Sequence, residues 1–402
     1  MKNKYDILSF HPRRHHNFEQ AEEISKEFDN FLHVTSFFFR PSFVTFIQKL
    51  NKKVGQELNR RSSTLSPKYV KTIKLPEFKK IVKEKLGQKY NFSQLSDEFS
   101  NTLLNRFEAP KICIGFDSYS QKVFEKWKGK SFLILDLVIG LPQFRAKIDA
   151  GMQNFKSEDL KKRSLADQEL YNIYEAETKL ADLILCGSEF VKQTCLEFGV
   201  PESKLHVINY GVNVKLFDHG NKQLKEKTEK LKFVFIGAVG YRKGADQLIE
   251  AWQAYSKLFP DNELHFYGHV EINLPQNKEG MFFHGAINQL DLIEELKTAD
   301  ILAFPTTFEG SSYSIYQAMA MKLAIITTPH SGTVLKDRES ALITPIGRTD
   351  IFLESMIELT KNISLRNMLA QHAYNMVKDY TWQQYGKKLN IKLKEVLNEI
   401  LL

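Results

Sequence analysis

Short apolar runs recur along the chain, each closed by a polar or glycine-containing break and followed by residues at helical spacing. In the first half, residues 5–10, 32–39, 111–116, 131–137 and 181–186 read as buried strands. In the second half, 233–237, 264–267, 281–283, 299–304, 323–328 and 341–344 read the same way. Between them lie helical patterns such as Phe18, Ala21, Ile24 and Phe28, or Leu248, Ile249, Ala251, Trp252 and Tyr255. Ser188 is placed to cap a helix that Gly199-Val200-Pro201 stops. Strands alternating with helices predict an α/β fold with parallel sheets. At 402 residues the chain exceeds one ordinary core, so two domains are expected. The divisions fall at 1–213 and 214–380, with a polar, charged linker over 218–229 and a final helix over 381–402.

Two loops carry residues suited to a phosphate group. After the strand at 299–304 come Glu309, Gly310, Ser311 and Ser312, then good helix formers through Lys322. Ser311 or Ser312 can cap that helix, and Gly310 lets the backbone approach a ligand closely. Helix-start N–H groups and the helix dipole favour an anion. Gln317 follows Glu309 by eight positions, about two helical turns into the segment. The second loop, Gly237-Ala238-Val239-Gly240-Tyr241-Arg242-Lys243-Gly244, sets two adjacent cations between glycines. Arg242 can fork onto two oxygens while Lys243 is a mobile point charge. Its glycine spacing matches neither the dinucleotide fingerprint nor the P-loop, which argues against a dehydrogenase or an ATPase. A third loop, after the first strand, is cationic: Arg13, Arg14, His15 and His16. It suits an acceptor phosphate or a solvated surface equally.

The Glu309-Gly310 loop, with Gln317 and the small and apolar Ala318-Met319-Ala320 behind it, resembles the nucleotide-binding signature of the family-4 retaining glycosyltransferases. The run 181–213 resembles the end of that family's first domain, and Gly211-Val212-Asn213 its interdomain hinge. The resemblance implies the GT-B fold, two Rossmann-like domains facing across a cleft with the last helix crossing back onto the first. It further implies a retaining, hexosyltransferase-type enzyme using a nucleoside-diphosphate sugar and a glycan or lipid-linked acceptor. Glu309, Arg242 and Lys243 become the candidate catalytic residues. Gly237, Gly240, Gly285, Gly310, Ser311, Ser312 and Gln317 become donor-binding candidates, and Arg13, His15 and His16 acceptor-side candidates. Three positions depart from the family pattern. Gln317 stands where an acid is usual, Ala238 where an Arg often follows the first Gly, and Leu141-Pro142 where many relatives place a histidine. A catalytically impaired sugar-nucleotide-binding homologue and a GT-B sugar-nucleotide epimerase are the alternatives.

Composition narrows the setting. Apolar content of 43% and charged content of 26% are those of a globular chain. No Asp-x-Asp triplet occurs, so no metal clamp and no cofactor are expected beyond the nucleotide sugar as substrate. Cys113, Cys186 and Cys195 lack metal-ligand spacing and read as buried or free thiols. The start lacks a signal-peptide core and no apolar run is long enough to span a bilayer, so the cytoplasm is expected. The net charge of +8 is concentrated in residues 41–90, where thirteen Lys and Arg face three Glu. There Phe43, Phe46, Ile47, Leu50, Val54 and Leu58 recur at helical spacing. The favoured reading is a helix covering the sheet with its lysines in water. The alternative is an anionic membrane surface, placing the protein peripherally on the inner face. Nucleic acid is not expected, because no binding module accompanies the charge.

Overall fold

The apolar runs form two parallel sheets in the computed structural model, which describes residues 5–59, 61–88, 92–151, 157–217 and 230–401. The start of the chain through Lys4, the basic residues Arg60 and Lys89, and the linker predicted over 218–229 lie outside the described residues. The first sheet contains β1 (Ile7–Phe10), β2 (Phe31–Thr35), β3 (Val70–Thr72), β4 (Ile112–Phe116), β5 (Phe132–Leu137), β6 (Leu183–Cys186) and β7 (Leu205–Val207). The second contains β8 (Lys232–Ile236), β9 (Glu263–Tyr267), β10 (Met281–Phe283), β11 (Ile301–Phe304), β12 (Ala324–Thr327) and β13 (Leu342–Ile343). β3 escapes the pattern because it is a three-residue edge strand with an exposed lysine at its centre.

The strand orders are β3-β2-β1-β4-β5-β6-β7 and β10-β9-β8-β11-β12-β13. In each sheet the chain winds outward from one central strand and then returns to that strand's other side. Loops leaving the two central strands therefore diverge and open a crevice at their C-terminal ends. In the first sheet those loops follow β1 and β4, and in the second they follow β8 and β11. The Arg242-Lys243 turn and the Glu309 loop are thus neighbours by topology.

Apolar burial anchors this frame. Phe233, Trp252 and Tyr255 are fully buried, with Phe233 meeting the other two rings edge-on at 5.5 and 5.2 Å. Each such side chain contributes about 1.5–3 kcal/mol. The Tyr255 hydroxyl avoids an unsatisfied burial by pairing with Thr360 and accepting from Asn262 Nδ2. All three cysteines are buried free thiols. Among the described residues, no helix is long and apolar enough to cross a membrane.

The chain passes between the domains near Val212 and again near Thr381, and the crossings touch, with Val212 N donating to Tyr380 O at 2.9 Å. The last helix, Trp382–Leu401, returns to the first domain and lies on the helix Asn17–Ile24. Gln20 Nε2 donates to the Tyr385 hydroxyl at 2.8 Å, Asn390 Nδ2 to Glu23 O at 3.0 Å, and Lys394 pairs with Glu27 at 2.7 Å.

The basic segment does not follow the favoured reading. In the helix Pro41–Leu50 only Val44 is buried, while Phe43, Phe46 and Leu50 point outward. That helix packs chiefly on its successor, Lys52–Asn59, which leaves these three side chains on its outer face.

Candidate functional site

A cleft of about 1310 Å³ lies between the two domains. From the second domain it is lined by Arg242, Lys243, Glu309, Gly310, Ser311, Tyr313, Ser314 and Gln317. From the first come His11, Arg13, Arg14, His15, His16, Asp117, Tyr119 and Val138. The loops at both switch points thus open onto one space.

The cationic turn is held rigidly against the acidic loop. The Arg242 carbonyl accepts from Thr307 N at 2.9 Å and from the Thr307 and Thr306 hydroxyls at 3.0 and 3.1 Å. The Arg242 guanidinium donates to Phe308 O at 2.9 Å and to Glu309 Oε1 at 2.5 Å. Lys243 Nζ reaches the same carboxylate oxygen at 2.8 Å and lies 4.9 Å from the Phe304 ring centre. Burial pushes the Glu309 carboxyl up, but Lys243 and Arg242 together outweigh it and hold the group below the ordinary glutamate range. Gly244 closes the turn at φ 69°, where a Cβ would lie 2.0 Å from the Pro305 carbonyl oxygen. Only glycine fits there.

The Glu309 shift fixes a pH dependence. Its folded pKa is depressed, so the associated stability is present above the unfolded value of about 4.3 and is lost as pH falls through the folded value. The wild-type melting temperature is expected to fall through this acid range more steeply than that of Glu309→Gln. Parallel melting curves for the two proteins would assign the loss to other carboxylates. At neutral pH the same variant leaves Arg242 and Lys243 without a counter-charge. It is expected to bind inorganic pyrophosphate more tightly than wild type, which calorimetry measures directly.

The helix Tyr313–Ala320 starts beside these cations. Ser312 occupies its N-cap position, but its hydroxyl makes no capping bond and is buried without a partner. Ser311 Oγ instead pairs with the Tyr316 hydroxyl at 3.3 Å. Side chains thus leave the first-turn N–H groups uncapped, as an anion site requires. Gly310 lines the cleft and also sits at the contact between the domains. A Cβ there would lie 1.8 Å from the Val138 carbonyl oxygen, so the glycine admits the first domain's backbone. Its own carbonyl accepts from Ser188 Oγ at 2.5 Å. Gly237, Gly240, Gly285 and Ser312 do not line this cleft. Gly237 leaves room for the Lys243 stem and Gly240 for the Glu271 carboxylate.

On the first domain, three of the loop candidates reach the cleft in different states. Arg13 Nε is buried without a hydrogen-bond partner, whereas neighbouring Arg14 is paired with Glu19 at 2.5 Å. His15 is exposed, and its backbone N–H donates to Asn17 Oδ1 at 2.6 Å. The buried His16 ring lies on Tyr210 at 4.1 Å and bonds through Nε2 to Asp136 Oδ2 at 3.0 Å. Gln20 Nε2 donates to the same oxygen at 2.6 Å. Asp136 sits near the C-terminal end of β5, so a histidine does serve that strand end. It arrives from the loop after β1, 120 residues earlier, which no local pattern discloses. Asp117, at the end of β4, was also missed. Burial pushes its carboxyl up to about 6, and it accepts from the Tyr174 hydroxyl and from Val138 N.

Residues 218–376 match the family described as glycosyl transferases group 1. The capsular polysaccharide biosynthesis glycosyltransferase CapM of Staphylococcus aureus is 23% identical over 236 residues, which is 53% of this chain and 62% of CapM. The chain thus spans about three-fifths of the length of that curated relative. Among solved structures, the sucrose-phosphate synthase of Thermosynechococcus elongatus superposes with a TM-score of 0.66 at 14% identity, covering 98% of this chain and 100% of that one. Anabaena HepE, solved in complex with UDP, gives 0.62 at 12% identity over 97% of this chain and 100% of HepE. The chain therefore has the two-domain GT-B fold, and its second domain matches the glycosyl transferases group 1 family.

Proposed function

We propose that the protein is a glycosyltransferase, moving a sugar from a nucleoside-diphosphate donor to a glycan or lipid-linked acceptor. The observation that carries this reading is the meeting of Arg242, Lys243, Glu309 and an uncapped helix start on one cleft wall. As the bond to the leaving diphosphate breaks, negative charge grows on its oxygens. Two fixed cations and a helix start stabilise that charge without reorganising, the main electrostatic term in such a step. Glu309 holds both cations in place and orients the sugar or the nearby backbone. Gln317, 5% exposed on the same wall, offers an amide to the ribose hydroxyls in place of the usual carboxylate. Retention of anomeric configuration is supported by the family resemblance. Metal independence is supported by Arg242 and Lys243 standing where a metal clamp would otherwise meet the diphosphate. The similarity to a capsular polysaccharide enzyme supports a role in polysaccharide assembly.

The opposite wall suits an acceptor carrying negative charge, since Arg13 is aimed there without a buried partner for its Nε. A screen of nucleotide sugars by thermal shift, followed by transfer assays with phosphate-bearing glycan and lipid acceptors, tests the reading. Proton NMR of the product reports the anomeric configuration. Stabilisation by a nucleotide sugar and transfer with retention are expected, whereas binding without transfer to any acceptor would reduce the protein to a donor-binding homologue. His16→Ala is expected to lower transfer about tenfold or more while leaving nucleoside-diphosphate affinity unchanged, because His16 stands on the first domain. Equal loss of both quantities would remove that division of labour.

A further inference from the structure

The first domain carries an apolar surface that the cleft does not use. In the helix Pro41–Leu50, Phe43, Phe46 and Leu50 are 47%, 58% and 70% exposed. The helix Leu75–Lys85 repeats the pattern, with Leu75, Phe78 and Val82 at 62%, 58% and 39%. Spacings of three and four place each set on a single helix face. An ion pair at 2.9 Å joins Glu77, on the second of these helices, to Arg61, just after the helix Lys52–Asn59 on which the first one packs. Two outward apolar stripes on one domain exceed the scattered exposure usual for a soluble surface.

Charge selects the occupant. The stripes lie in the segment with thirteen basic and three acidic residues, and one of those acids, Glu77, is buried against Arg61. Lys49, Lys71 and Lys74 are exposed around the stripes, while Lys79 is paired with Glu98 at 2.8 Å. A second copy of the chain would bring the same positive surface against itself, which opposes pairing. An anionic bilayer satisfies both features, since its acyl boundary receives the rings and its headgroups the lysines.

We propose that the helices Pro41–Leu50 and Leu75–Lys85 dock the protein on the surface of an anionic lipid bilayer. Pro41, the first residue of the docking helix, also lines the cleft, so docking sets the acceptor wall beside the membrane. That consequence rests on the transferase reading, but the docking itself does not.

Flotation with phosphatidylcholine vesicles, with and without phosphatidylglycerol, tests the surface. Wild type is expected to float with the phosphatidylglycerol vesicles, to release as salt rises, and to ignore phosphatidylcholine alone. The double variant Phe46→Asp, Phe78→Asp is expected to lose about a hundredfold in partitioning. Its thermal unfolding should be unchanged, because both rings are already exposed. Lys49→Glu with Lys74→Glu should weaken binding to anionic vesicles while leaving the rings in place. Wild type that ignores phosphatidylglycerol vesicles, or a double aspartate variant that floats equally well, would overturn the proposal. So would a dimer in sedimentation velocity that the same variant dissociates, since the face would then belong to a second copy. Vesicle binding reads the helices and nucleotide binding reads the cleft, so failure of one is distinguishable from failure of the other.

Discussion

Alanine at Lys243 is expected to reduce kcat/KM for sugar transfer about 10²–10³-fold, the usual effect of removing one pre-positioned donor from a developing anion. The side chain is 13% exposed and its ammonium shares the Glu309 oxygen with Arg242, so it is fixed before the donor arrives. Its loss leaves the Arg242–Glu309 pair and the threonine bonds to the Arg242 carbonyl in place. The turn should therefore keep its shape, and the melting temperature should move little. Donor affinity should also weaken, because the ground-state diphosphate carries charge, but turnover should fall further as charge grows on the leaving group. Steady-state kinetics beside nucleoside-diphosphate binding separates the two effects. Unchanged kinetics would remove the phosphate role assigned to this lysine.

Gly310→Ala is expected to lower turnover about a hundredfold through geometry alone, since misplacing a reacting group by about 1 Å can cost that much. The added methyl would begin 1.8 Å from the Val138 carbonyl oxygen, and no rotamer relieves a clash at Cβ. The first domain must recede, lengthening the Ser188 hydroxyl contact to the Gly310 carbonyl. Each sheet keeps its own core, so the individual domains should remain folded while the cleft between them widens. Nucleoside-diphosphate affinity should survive better than transfer, because the groups proposed to meet the phosphates belong to one domain and the proposed reaction needs both. Small-angle scattering compares the mean cleft opening of the two proteins. Full activity in this variant would show that transfer does not use the domain contact described here.

The alternation of strands and helices was legible because buried parallel strands are apolar throughout and their connections are punctuated by Gly, Pro and Ser. Two loops that line the cleft were legible as well, since adjacent cations or an acid-glycine pair after a strand have few structural uses. Other features depend on distant parts of the chain. Neither His16 nor Asp136 carries a local sign of the other, because their strands β1 and β5 are joined only through the sheet. Nothing local to Thr306 and Thr307 discloses the Arg242 carbonyl to which both hydroxyls donate. Gly310 carries no local sign of the first-domain backbone that its missing side chain admits. The stripe in the helix Pro41–Leu50 was correctly read as amphipathic and assigned to the wrong side, for periodicity gives the faces of a helix and not what covers them.

Transfer as proposed requires the Arg242-Lys243 turn and the start of the helix Tyr313–Ala320 to hold one diphosphate between them. A crystal structure with a nucleoside diphosphate bound tests it most directly, with UDP as the first probe. Density is expected in the interdomain cleft, with phosphate oxygens within hydrogen-bond reach of Lys243 Nζ and of first-turn N–H groups, and the ribose near Gln317. Nucleotide bound in another crevice, or phosphates turned toward the first domain and away from Lys243, would contradict it.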